Sequence, residues 1–174
     1  MARPLTTVSA QTNNTMTLYY QPIGIIHSPF HDPEGMPIQP IGALGIRGTV
    51  ELRREFVPGL RDLEGFSHIF LIYHFHCSKG FSLEVVPFVD HVSHGVFATR
   101  APRRPNSIGI SVVRLLSVEG NVLHVENVDI LDGTPLLDIK PFVPSVDNHE
   151  VDRIGWLDKG SDKMAQSRAD KRFK

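Results

Sequence analysis

Three arginines, Arg100, Arg103 and Arg104, are interleaved with Pro102 and Pro105 and followed by Asn106 in the stretch GVFATRAPRRPNSIGIS, residues 95–111. Proline fixes φ, so such a loop gives up little entropy on binding and its guanidinium forks are partly preorganised. Carboxylates and phosphates are the ligands those forks match. The other reading is an exposed basic turn paired with surface carboxylates. A second set lies in DGTPLLDIKP, residues 132–141, where Asp132-Gly133 makes a turn and Thr134 offers a hydroxyl. Asp138 and Lys140 stand two apart, hence on one face of a strand, as a site or as a plain ion pair. A third set is His68, His74 and His76 with Cys77 beside them. His74 and His76 converge on one strand face and could hold a metal, but no carboxylate lies nearby in sequence and no second cysteine exists. Packed or hydrogen-bonded histidines at a barrel mouth are the competing reading. Gln39, between Pro37 and Pro40, adds a donor and an acceptor.

The elements that must position these residues read mostly as strands. Residues 20–27, a strand around Ile46, Val50 and Leu52, residues 67–76, 82–89, 108–118 and 121–130, and the alternating segment after Asp132-Gly133 make about seven. SHIFLIYHFH (67–76) is apolar on both phases and is expected at the centre of a sheet. Ile69, Leu71, Tyr73 and Phe75 share one face of it; His68, Phe70, Ile72, His74 and His76 share the other. Pro87 should force an edge or a bulge into 82–89. Gly120-Asn121 signals a two-residue hairpin, and the apolar phase slips at Glu126-Asn127, which predicts a β-bulge. Residues 28–45 hold four prolines and three glycines and form a long loop. PGLRDLEGF (58–66) allows one helical turn. The expected fold is therefore a mainly β, single-domain small barrel of about six or seven strands with few short helices. Residues 1–18 are expected to be a disordered extension, 19–146 the barrel, and 147–174 a polar, basic tail.

The 174 residues carry a net charge of −1 and 41% hydrophobic residues, which suits one globular domain without a global field for nucleic acid. Any polyanion must be met by a local patch. One cysteine excludes an internal disulfide framework and fits a reducing cytoplasm. The longest apolar run, near Ile69–Phe75, is too short to span a membrane. GALGIRG (42–48) lacks dinucleotide-binding spacing, and there is no phosphate-binding P-loop, H-E-x-x-H, C-x-x-C or G-x-S-x-G.

Taken together, GMPIQP (35–40), GFSHIFLIYHFH (65–76), GVFATRAPRRPNSIGIS and DILDGTPLLDIKPF (129–142) resemble the TsaA/TrmO-like (YaeB-like) family, from about Ile23 to Trp156. The resemblance implies a small β-barrel that pairs as a homodimer and binds S-adenosylmethionine without a Rossmann fold. It implies methylation of the N6 nitrogen of threonylcarbamoyl-adenosine beside the tRNA anticodon. It implies a cofactor pocket lined by Pro37, Ile38, Gln39, His76, Cys77, Arg100, Ile110, Leu131, Asp132, Gly133 and Thr134. Arg103, Arg104 and Asn106 would face RNA or a partner subunit. Within that reading Asp138 is the candidate for carrying away the N6 proton, with Lys140 orienting it; no metal or membrane is involved. Phe142 replaces an expected Tyr, Ala101 replaces an expected Ser, and the short basic tail stands where bacterial members carry a larger extension. Two rival classes stay open: a metal-dependent hydrolase built on His74 and His76, and a non-catalytic barrel for a small ligand or partner.

Overall fold

In the computed structural model, residues 18–159 and 165–173 are described; all but the last residue of the expected disordered extension lies outside them. Among the described residues eight strands form: β1 (Gly24–His27), β2 (Arg47–Leu52), β3 (His68–His74), β4 (Glu84–Val85), β5 (His94–Gly95), β6 (Ile108–Glu119), β7 (Val122–Glu126) and β8 (Thr134–Pro141). Six of them close a barrel in the order β1-β2-β7-β6-β3-β8, with every neighbouring pair antiparallel. Closure leaves the barrel no unpaired edge. β4 and β5 form a separate two-stranded ribbon. The only α-helical turn among the described residues is Pro144–Asp147, and none of their helices is long and apolar enough to cross a membrane.

The barrel follows from alternation. Ile26, Val50, Leu52, Ile69, Leu71, Val113, Leu115, Leu123, Val125 and Leu136 point inward and are buried. β3 lies between β6 and β8, the central place that its apolar pattern predicts, with Ile69, Leu71 and Tyr73 in the core and Phe70 and Ile72 half-buried on the outer wall. The hairpin between β6 and β7 turns at Gly120, whose φ of 63° suits glycine. At the predicted phase slip, Asn127 adopts a φ of 70°, and the N–H groups of Asn127 and Val128 both donate to the Ile46 carbonyl. Two residues opposing one is the geometry of a bulge. A second irregularity passes Leu137 by, so Ile72 faces Asp138 while Tyr73 faces Leu136. Leu136 is therefore in the core and Ile139 packs against it, while Asp138 and Lys140 share the outer wall.

The expected strand over 82–89 is a correction: only Glu84 and Val85 pair, with Gly95 and His94. Pro87 has no N–H to extend the ladder. The single helical turn over 58–66 resolves into two 3₁₀ segments, Arg54–Leu60 and Leu63–Gly65.

Candidate functional site

Buried polar residues locate the working end of the barrel. Among the described residues only Ser111 (3% exposed) and Thr134 (2%) are polar and fully buried, inside an otherwise aliphatic core. Thr134 Oγ1 lies 3.3 Å from His76 Nδ1, just past the end of β3. Ser111 Oγ donates to Asp129 Oδ1 at 2.7 Å and lies 3.1 Å from the buried Tyr73 hydroxyl. Ser111 has one proton, and Asp129 takes it. The Tyr73 O–H therefore donates to Ser111, and the chain runs Tyr73 to Ser111 to Asp129. Gly109 makes room for it: a Cβ there would stand 2.3 Å from Tyr73 Cε2 and 2.9 Å from Phe75 Cζ.

The arginine loop closes over the same end. Phe75 N–H donates to the Ser107 carbonyl at 2.8 Å, and Ser78 Oγ to the Pro102 carbonyl at 3.1 Å, so the loop is sewn to the end of β3. Arg100 is exposed, donates through Nη1 to Gln39 Oε1 at 2.9 Å, and acts electrostatically on both Asp129 and Tyr73. Burial pushes the Asp129 carboxyl up to about 6, against the opposing pull of the Ser111 hydrogen bond and the Arg100 charge. Burial, with the Asp129 charge, holds the Tyr73 phenol well above its ordinary range.

Asp132 builds the corner instead of lining it. It accepts from the Ser28 backbone N–H at 3.1 Å and lies 3.2 Å from His27 Nδ1 and 3.5 Å from His31 Nδ1. Desolvation raises its pKa, but the Ser28 and His27 hydrogen bonds and both imidazole charges outweigh that and hold it below the usual carboxylate range. Gly133 follows at a φ of 74°, where a side chain would be strained.

The expected site residues thus divide. Gln39, Arg100, His76 and Thr134 gather at the polar end, with Pro37 and Ile38 on the Gln39 loop, Cys77 exposed beside His76, and Leu131, Asp132 and Gly133 in the corner. Ile110, Asp138 and Lys140 do not join them. Ile110 and Asp138 flank Ile72 across three strands on the outer wall, and Lys140 Nζ pairs with Asp138 Oδ2 at 2.8 Å. Asp138 stands four residues along β8 from Thr134, roughly 13 Å at the usual strand rise. The structure therefore does not gather Asp138 with His76 and Thr134. Arg104 also differs from expectation. Its Nη1 donates to the carbonyls of Thr99 (2.8 Å), Val96 (3.1 Å) and Ala101 (3.4 Å), and its guanidinium covers the Phe97 ring at 5.9 Å. It staples its own loop. Arg103 is half-buried, with its carbonyl accepting from Ser82 N–H, while Asn106 is exposed. His74 and His76 gain no carboxylate partner: among the described residues no three His, Cys, Asp or Glu side chains form a metal-ligand set. Tyr73, Ser111 and Asp129 were not singled out from sequence; the one available signal was a serine and a tyrosine on core-facing phases.

The last described segment straps the site. Gly35 N–H donates to the Ala169 carbonyl and Ala169 N–H to Met36, while Pro37 bridges to Arg168. Arg172 donates to the Pro87 carbonyl at 2.5 Å and covers the Phe88 ring at 5.2 Å. Phe173 packs on Val85, Val96 and Ala101, beneath the arginine loop. Residues 165–173 therefore tie the Gln39 loop to the layer carrying Arg100. A groove of about 770 Å³ lies instead against β1, β2, β6 and β7, with His27, Arg47, Thr49 and His124 in its wall. It is wide open and gathers none of the buried hydroxyls.

A closed antiparallel barrel with a polar end, and no strand–helix alternation, defines a compact class of β-barrel proteins distinct from Rossmann enzymes. Within that class, residues 25–148 match the tRNA-methyltransferase O N-terminal domain, and the chain belongs to that family. It is 58% identical over 158 residues to a probable S-adenosyl-L-methionine-binding protein of Pyrococcus abyssi, covering 91% of this chain and 86% of that one. It is 33% identical over 145 residues to the Homo sapiens tRNA (adenine(37)-N6)-methyltransferase, covering 79% of this chain and 32% of that one. The crystal structure of TrmO from Pseudomonas aeruginosa superposes with a TM-score of 0.69 at 43% identity, over 82% of this chain and 64% of that one. The chain thus spans just under two thirds of that structure and about a third of the human relative.

Proposed function

We propose that this protein is an S-adenosylmethionine-dependent tRNA methyltransferase acting on the N6 nitrogen of threonylcarbamoyl-adenosine next to the anticodon. The observation that carries the reading is the convergence of Arg100, Gln39, His76, Thr134 and Asp129 at one end of the barrel. Family membership and the names of the relatives support it. The donor set suits an amino-acid-bearing sulfonium. Arg100, exposed and braced by Gln39, offers a guanidinium face to a carboxylate. His76, Thr134 and the Leu131–Gly133 backbone offer polar contacts, and Pro37 and Ile38 an apolar wall. When bound, S-adenosylmethionine supplies an activated methyl group. The chain's own contribution is alignment of the two reactants and exclusion of water. Asn106 and Arg103 are the loop residues assigned to RNA.

Phe70, Ile72, Val112 and Ile110 form an apolar strip on the outer wall, with Ile110 50% exposed. In this reading a second copy covers it, giving a homodimer. A tRNA substrate and a lone exposed cysteine fit the cytoplasm. The test is a melting scan with S-adenosylmethionine followed by methyl transfer to modified and unmodified tRNA. Donor at 100 times its Kd should add about 2.7 kcal/mol. No stabilisation at millimolar donor, or transfer to neither tRNA, refutes the assignment.

A further inference from the structure

Tyr73 and Ser111 are costly residues to place inside an aliphatic barrel, since a buried hydroxyl without a partner forfeits its hydration with nothing in return. Here each is satisfied only because Asp129 ends the chain: Tyr73 donates to Ser111 and Ser111 to Asp129. Gly109 gives up its side chain so that the Tyr73 ring can stand there. Three residues from two strands, Tyr73 on β3 and Gly109 and Ser111 on β6, are thus spent on one carboxylate. Asp129 keeps part of its surface at the mouth, three residues ahead of the Asp132 corner and within the field of exposed Arg100. The charged and titratable groups facing it are Arg100 from the loop and Tyr73 from β3.

We infer that Asp129, held by the Tyr73–Ser111 chain, is the carboxylate that takes the proton released when the acceptor nitrogen is methylated. This rests on the methyltransferase reading above. The bookkeeping balances: the acceptor nitrogen's lone pair bonds to the methyl carbon, and the carbon–sulfur bond breaks with its electrons going to sulfur. The nitrogen's proton moves to the Asp129 carboxylate. One positive and one negative charge disappear together, and solvent at the mouth later takes the proton. A carboxyl poised near 6 is ionised at neutral pH yet basic enough to accept.

Asp129→Asn keeps an oxygen for the Ser111 hydroxyl and removes the base. Single-turnover methyl transfer to tRNA and donor Kd by calorimetry are measured from pH 5 to 8. In the natural chain the rate should fall tenfold per pH unit below about 6. In Asp129→Asn it should be about 100-fold slower at pH 7 and flat with pH, with donor Kd unchanged within twofold. Ser111→Ala should fall between the two. An Asp129→Asn rate within twofold of the natural chain, with the acid limb retained, overturns the inference. So does a tenfold loss of donor affinity in that variant, which would make Asp129 a positioning residue for Arg100. A natural chain that binds donor but transfers nothing to any tRNA overturns the underlying reading, and this inference with it.

Discussion

Replacing Gly109 by Ala reports directly on the packing under the site. Alanine normally improves a strand position over glycine by about 0.5–1 kcal/mol. Here the added carbon would meet Tyr73 Cε2 at 2.3 Å, Cζ at 2.5 Å and Phe75 Cζ at 2.9 Å. Carbon atoms rest about 3.5–4.0 Å apart, so the ring must retreat by more than about 1 Å. Tyr73 is only 5% exposed and its neighbours are core residues. Overpacking of this kind costs about 1–3 kcal/mol, and losing the Tyr73–Ser111 hydrogen bond about 1 kcal/mol more. The expected result is a net loss of about 2–3 kcal/mol in urea unfolding. Repeating Gly109→Ala in a Tyr73→Leu background should relieve most of it, because the cycle isolates the pair. If Gly109→Ala leaves stability equal or higher in the natural background, the ring is not where the structure puts it.

The remaining expectations follow the same logic. The folded-state pKa of Asp129, about 6 against an ordinary 3.8, lies above its unfolded value, so the native chain holds the extra proton between them. Stability relative to Asp129→Asn should therefore fall by about 3 kcal/mol as pH rises from about 4 to 6, and stay flat above; paired urea titrations across pH read this. Arg104→Ala, which takes a donor from the carbonyls of Thr99, Val96 and Ala101, should cost about 2 kcal/mol in thermal unfolding while leaving the salt dependence of tRNA binding unchanged. Asp138→Asn removes an ion pair with side chains 61% and 45% exposed, so stability should move by less than about 1 kcal/mol and transfer rate by less than twofold. Ending the chain after Lys159 should leave the barrel's cooperative unfolding in place but weaken donor binding at least tenfold by calorimetry, because the Gln39 loop loses its partners.

The barrel was legible because its cause is local. Val50 and Leu52 alternate with Thr49, Glu51 and Arg53, and SHIFLIYHFH read as a strand with partners on both edges, as β6 and β8 provide. The Asn127 bulge was legible for the same reason, as a change of phase. The arginine loop and the Asp-Gly-Thr corner were legible as special chemistry, and they meet. Asp129 was hidden. In DILDGTP it looks like one more turn residue, and only the third dimension puts it under Ser111, 18 positions away. The place of Asp138 was not legible, because strand alternation tells which residues share a face but not whether that face is the mouth. A bulge at Leu137 decides the facing of β8, and no residue type there announces it. Arg104 misled likewise: a guanidinium in a proline-rich loop reads as a hand held out, and the carbonyls it satisfies belong to its own backbone.

The strap over residues 165–173 sets an order of assembly. The last barrel strand ends at Pro141, so the sheet has all its strands without residues 165–173 and can close independently of them. Met36 and Pro37 wait for Ala169 and Arg168, more than 130 positions later in the chain. A folded barrel and a finished pocket are therefore separate events: proteolysis between Lys159 and Ala165 would leave a well-formed protein with its entrance unlatched.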